Sequence, residues 1–226
     1  SAQEIHVEIP AAATPGIVDV AVEDSRGSVT LSAAFRYISP SQMGLAFTDG
    51  RFATATSYGD LFQEGTFELW IRRGQAPFWP RTRSVLSVAA LDGSDAFVLE
   101  LRNNSLRWRT GAGEGSVRLD AFVGLEQDQW HHVALTFSPS GRRIYVDGRF
   151  AGQDDYVLTL PEGTGLRLGR SFGGTECFVG QLESVRVWLE ERRDHESHRA
   201  RFPRFESEPV LESVWPLLEG GGQTSQ

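Results

Sequence analysis

The chain has 226 residues and a net charge of −8, with a pI near 5.2, which is length enough for one large domain and an appendage. No basic stripe interleaves with aromatic residues, which excludes an electrostatic footprint for nucleic acid or anionic lipid. No run of about 18 apolar residues occurs, and the first residues hold neither a basic nor an apolar leader region, so no membrane insertion and no signal peptide are expected within this stretch.

Hydrophobic residues make up 40%, and 24 glycines and 10 prolines punctuate the chain, a globular composition rich in turns. In chain order, the first predicted element is a two-stranded ribbon. Ile17, Asp19 and Ala21 alternate with Val18, Val20 and Val22, and Arg26-Gly27 closes a hairpin onto "SVTLSAAFRY". Short β-patterned runs follow: "GLAFT", "TFELWIRR", "SVLSVAAL", "AFVLELR", "SLRWRT", "SVRLDAF", "HHVALTF", "RRIYVD", "YVLTL", "LRLGR" and "LESVRVW". Gly, Asp, Asn, Pro and Ser turns separate them at roughly 8 to 12 residues, the spacing of an antiparallel sandwich or barrel. One short helix is predicted near the C-terminus, in "RRDHESHRARF", capped by Asp194 and stopped by Pro203. A last strand is expected over 211–218, burying Trp215.

The richest stretch is "WHHVALTFSPSGRRIYVDGRFAG", Trp130 to Gly152. As a strand, its first part sends His131, Val133, Leu135 and Phe137 to one face and Trp130, His132, Ala134 and Thr136 to the other, so the adjacent histidines cannot share a metal. Asp147-Gly148 is the strongest short hairpin signal in the chain, which makes Asp147 a turn former.

Two resemblances follow. "PGIVDVAVEDSRGSVTLSAAFRYISP" resembles the last strands of an immunoglobulin-like IPT/TIG domain, giving a partial segment over 1–40. From about 43 to 222, "WHHVALTF", the "YVDG" turn, "LRLGR" and "FVGQLESVRVW" resemble the laminin-G-like, concanavalin-A-like jelly-roll domains, with "GLAFTDGRFATA" as opening strand. The resemblance implies an all-β chain: an antiparallel jelly-roll sandwich of two sheets over 41–226, preceded by the immunoglobulin-like ribbon. It also implies a binding or adhesion module of a larger extracellular or surface-exposed mosaic protein, with a glycan or protein ligand and neighbouring domains of the same polypeptide as partners. The competing class is a structural spacer or assembly domain of a surface layer, tail fibre or toxin. Many relatives carry two acidic residues before the "V-R-I-W" strand; here that position reads Glu183-Ser184.

The candidate binding residues are Phe78, Trp79, Arg81 and Arg83. "GQAPFWPRTR" sets two aromatic rings between Pro77 and Pro80, where little conformational freedom remains to lose on binding, and follows them with planar donors suited to carboxylates. The same loop could instead fold back and cap the core. The other five tryptophans, Trp70, Trp108, Trp130, Trp188 and Trp215, fall in strand patterns and read as core. Asp92 with Asp95, and Asp154 with Asp155, are turn carboxylates that could ligate Ca²⁺, although Asp is also the ordinary turn residue. His195 and His198 stand i, i+3 in an Arg-rich segment and read as a solvated face. No pair of acids at the strand spacing of a glycosidase and no nucleophile signature is present, so catalysis is not expected. Cys177, the single cysteine, reads as a small buried hydrophobe. The 22 basic residues are all Arg, the mark of a GC-rich genome, bacterial by expectation, and no function follows from it.

Overall fold

Period-2 alternation needs two sheets to bury its apolar rows against each other, and two sheets are what form. The computed structural model describes residues 16–24, 27–37, 45–47, 52–55, 63–75, 82–103, 105–111, 115–160, 165–174, 176–192 and 211–215, with the backbone alone for 16–24, 27–37 and 211–215. The chain divides into two units, Ser1–Met43 and Gly44–Gln226. In the first, strands β1 (Gly16–Asp24) and β2 (Gly27–Tyr37) pair antiparallel, Asp24 facing Gly27 at the turn and Gly16 facing Tyr37 at the far end. This is the expected ribbon.

The second unit holds β3 (Leu45–Phe47), β4 (Ala53–Ala55), β5 (Gly65–Arg73), β6 (Thr82–Ala89), β7 (Asp95–Arg102), β8 (Ser105–Thr110), β9 (Val117–Ala121), β10 (Trp130–Ser138), β11 (Gly141–Val146), β12 (Arg149–Asp154), β13 (Leu166–Leu168), β14 (Gly180–Trp188) and β15 (Leu211–Trp215). One sheet runs β12-β11-β10-β5-β14-β15, with β3 also on β14, and the other runs β4-β13-β6-β7-β8-β9. All strand pairs within them are antiparallel. The architecture is the expected all-β sandwich, and no helix occurs among the described residues. The helix predicted after Asp194 lies outside them. The C-terminal strand is present over Leu211–Trp215; residues 216–218 of the expected strand and the Trp215 side chain lie outside what is described.

Between the sheets, Phe67, Leu69 and Ile71 of β5 and Val133, Leu135 and Phe137 of β10 meet Phe97, Leu99, Leu106 and Trp108 of the facing sheet. The rings of Phe67 and Phe97 pack edge to face at 5.1 Å, and Phe97 and Trp108 do so at 5.5 Å. Arg142 is fully buried on the same inner row. Its guanidinium lies 5.1 Å from the Trp108 ring centroid and 4.8 Å from that of Tyr156. The charge is tolerated because Asp154 pairs with it and Thr110 Oγ1 accepts from it.

Trp108 and Trp188 are core as expected, whereas Trp70 and Trp130 are only half-buried. Both sit on outward-facing positions of their strands, where an aromatic ring fits a strand surface as well as it fits a core. Cys177 is buried, as read from its chemistry.

Candidate functional site

A two-residue turn of the sandwich builds one wall of an open concavity. Asp147 and Gly148 have φ of 50° and 73°, the two left-handed residues of a type I′ turn, which matches the twist of strands β11 and β12. Asp147 tolerates that conformation because its carboxylate is used locally. Oδ1 accepts from the His132 amide at 2.9 Å, Oδ2 meets His131 Nδ1 at 2.8 Å, and the Asp147 amide donates to the His132 carbonyl at 2.8 Å. Just beyond the turn, Ile144 faces Gly152 while Tyr145 faces Phe150, so Ala151 is an extra residue in β12. Such a bulge breaks the alternation of faces, and Arg149, Phe150 and Ala151 all line one side of the cleft.

The opposite wall comes from the loop after β9. Val123 and Gly124 line it, with His131, Val146 and Asp147 at its base, and the cleft holds about 500 Å³. The loop is pinned to β5 beyond its lining residues: Arg73 Nε donates to the Leu125 carbonyl at 2.6 Å, and Arg72 Nε donates to the Asp128 carbonyl at 2.9 Å. The Phe150 ring is 57% exposed, with one edge packed on Tyr145 at 5.9 Å. Phe122, next to the lining residue Val123, is 88% exposed. Arg149 is exposed and has no hydrogen bond or ion pair among the described residues. An aromatic face, a free guanidinium and one carboxylate therefore meet in one open site.

The two histidines do take opposite sides, as alternation required. His132 is buried on the outer face of β10, its ring 5.4 Å from that of Trp70. Glu68 Oε2 stands 3.9 Å from His132 Nε2 and 3.6 Å from Arg186 Nη1. Burial holds the Arg186 guanidinium below its ordinary pKa, with Glu68 opposing that shift. This cluster is closed to ligands, since Glu68, His132, Glu183 and Arg186 are all buried.

The residues expected from sequence to bind or ligate are described only in part. Phe78, Trp79 and Arg81 lie outside the described residues. Arg83 is buried, and its Nη1 donates to the Cys177 carbonyl at 2.9 Å, which ties that segment to β6.

The turn carboxylates do not fit Ca²⁺, which takes six to eight oxygens. Exposed Asp92 accepts from the Ser94 amide at 2.9 Å and hydroxyl at 2.6 Å, an Asx turn that lowers its pKa. Asp95 is buried, and its two oxygens accept from the Phe172 and Gly173 amides at 2.8 and 3.3 Å. Asp154 has both oxygens on Arg142, and Asp155 is exposed. Among the described residues no group of three or more His, Cys, Asp or Glu is placed to hold a metal. Glu183-Ser184, at the position where relatives carry two acids, is buried in a bulge of β14 where Ser184 has φ of 48°. None of this could be foreseen from residue type alone, because Asp92, Asp95 and Asp154 are each engaged by a turn they make themselves or by a partner supplied by another strand or loop.

A family model described as the concanavalin A-like lectin/glucanases superfamily, laminin G type, matches residues 45–196. The match begins after the N-terminal ribbon, so the immunoglobulin-like reading of that ribbon has no support. No curated protein sequence matches the chain. Among solved structures, the native heptameric SAP-like pentraxin of Limulus polyphemus aligns with a TM-score of 0.56 at 16% identity, over 78% of this chain and 93% of its own. A Bacteroides ovatus protein, described only provisionally as carbohydrate-binding, gives 0.61 at 19% identity, over 80% of this chain and 53% of its own. The CBM40 domain of a Ruminococcus gnavus IT-sialidase, bound to α2,3-sialyllactose, gives 0.53 at 16% identity, over 71% of this chain and 97% of its own.

Proposed function

The chain belongs to the laminin G-like branch of the concanavalin A-like lectin/glucanases superfamily, and on that premise we propose that it is a non-catalytic glycan-binding module whose site is the cleft between the Asp147-Gly148 turn and the 122–126 loop. One observation carries the reading: Arg149 and Phe150, both exposed, stand side by side on a wall of that cleft. A sugar ring stacks its C–H face on an aromatic ring, and a guanidinium binds a carboxylate in a planar fork. The preferred ligand is therefore a glycan bearing an acidic sugar, and Arg149 offsets the repulsion expected from a chain of net charge −8. Among the described residues Asp147 is the single acidic side chain lining the cleft, and glycoside hydrolysis needs two, which favours binding over cleavage.

Binding in a larger extracellular or surface-exposed protein, alongside neighbouring domains, is the setting this reading favours. No helix among the described residues is long and apolar enough to cross a membrane. Phe78, Trp79 and Arg81 are the rival contact surface. A glycan array probed with the full chain, with and without EDTA, tests the proposal. Chelator-resistant binding to uronic or sialic acid glycans, abolished by Arg149→Ala and Phe150→Ala and retained by Trp79→Ala, supports it. Loss in Trp79→Ala alone moves the site to the rival loop. The exposure of Phe122 at 88% and Leu91 at 81% favours a second reading, a spacer or assembly domain; silence on the array with self-association in sedimentation would support that instead.

A further inference from the structure

The two walls of the cleft are tied together through one imidazole. His131 begins the inward row of β10 that continues as Val133, Leu135 and Phe137, but it stands past the end of the core with 13% of its side chain exposed. Its Nδ1 meets Asp147 Oδ2 at 2.8 Å on the turn side, and the Glu126 amide donates to its Nε2 at 3.1 Å on the loop side. A backbone N–H can only donate, so Nε2 must be unprotonated. The neutral ring then holds its hydrogen on Nδ1 and donates it to Asp147. Asp147 is fixed independently by the His132 backbone. His131 is thus a strut between a rigid turn and a loop.

We propose that His131 is the positioning residue of the cleft and that a proton on its Nε2 releases the loop wall, weakening ligand binding; this rests on the cleft being the ligand site. In the imidazolium both ring nitrogens are donors, and the Glu126 amide faces a donor where it had an acceptor. That N–H loses its acceptor and is repelled, so the peptide, still held through its Leu125 carbonyl by Arg73, tilts, and Gly124 and Val123, one and two residues before Leu125, shift with it. The charged groups around the ring fit this picture. Asp147 on the turn accepts from Nδ1 in either protonation state and keeps the ring in place. On the loop, the Glu126 carboxylate is held by Gln129 Nε2, and Asp128 is held at the β5 end by Arg72 and Arg73. Arg149 on β12 shares the cleft. Because Arg72 and Arg73 keep their end of the loop, the wall shifts without unfolding. One hydrogen bond's worth of preorganisation is lost, so affinity falls several-fold, up to roughly tenfold.

The test uses the ¹⁵N-labelled full chain and the methyl glycosides of glucuronic and N-acetylneuraminic acid, followed from pH 8 to 5 by long-range ¹H–¹⁵N spectra and by binding titration. The expected results are an Nδ1–H tautomer at pH 8, a Glu126 amide resonance that moves with the same midpoint as the His131 ring, and affinity that falls with it. His131→Gln, whose side-chain oxygen can take the Nε2 acceptor role, binds with little pH dependence near the wild-type level of pH 8. His131→Asn keeps a donor for Asp147 but does not reach Glu126, and binds weakly at all pH values. An Nε2–H tautomer, or a Glu126 amide indifferent to the His131 titration, overturns the strut in the wild-type chain whatever the variants do. Intact coupling with pH-independent binding overturns the gating. Intact coupling with no sugar bound at any pH leaves the strut standing and counts against the glycan reading.

Discussion

Replacing Asp154 by alanine leaves a charge stranded in the core. Arg142 is fully buried between the Trp108 and Tyr156 rings, and both carboxylate oxygens of Asp154 accept from its guanidinium, Nε at 3.0 Å and Nη2 closer still. Removing one partner of a buried pair costs roughly 3 to 5 kcal/mol. The Asp154 side chain is 26% exposed, so water can reach part of the gap, and the low end applies: about 3 kcal/mol, or a fall in Tm of roughly 6 to 12 °C for a domain of this size. Urea denaturation followed by tryptophan fluorescence measures it. Adding Arg142→Met should return at least half of the loss, since it removes the charge and keeps the packing against both rings. A single variant within about 1 kcal/mol of wild type, or a double variant no more stable than the single one, would refute the reasoning. Either result would also free Asp154 to be the calcium ligand that its sequence setting suggested.

Three further outcomes are expected. Gly141→Ala should destabilise by more than about 3 kcal/mol in the same assay, because its φ is 109° and an added Cβ would lie 2.1 Å from the Asp154 carbonyl oxygen, a backbone atom that cannot swing aside. Calcium at millimolar concentration, against EDTA, should move Tm by less than about 1 °C in a thermal scan, whereas a site filled to about 100 times its Kd would add nearly 3 kcal/mol. The Arg107 guanidinium, bonded to both oxygens of Asp120 at 2.7 and 2.9 Å, holds that carboxyl below the usual Asp range. Its contribution is present above the unfolded Asp pKa of about 3.9 and is lost as pH falls through the lower folded value. Asp120→Asn should therefore flatten stability below about pH 4, by well under 1 kcal/mol because the pair is on the surface.

The strands were legible because alternation is a local signal. Residues 130–137 show it on their own, and the opposed directions of His131 and His132 followed from it. The Asp147-Gly148 turn was legible because few dipeptides accept two successive positive φ angles. The cleft was not legible. It depends on an extra residue at Ala151 and on the 122–126 loop far upstream of it, and neither leaves a mark in hydrophobic pattern. Buried arginines escaped for a related reason: Arg142 and Arg186 sit in strands where an Arg reads as solvent-facing, and their pairing with Asp154 and Glu68 on the neighbouring strands helps make their burial tolerable. Turn chemistry and metal ligation favour the same side chain, and sequence alone does not say which N–H groups occupy the oxygens of Asp92, Asp95 and Asp154.

Chemical-shift mapping of the ¹⁵N-labelled chain with the methyl glycoside of N-acetylneuraminic or glucuronic acid most directly tests where a ligand binds. Saturable shifts confined to 122–126, 131 and 146–151, absent in Arg149→Ala, are the predicted result. Shifts that centre on 76–83 or on the outer face of β5 and β14, with the cleft residues unmoved, would contradict it.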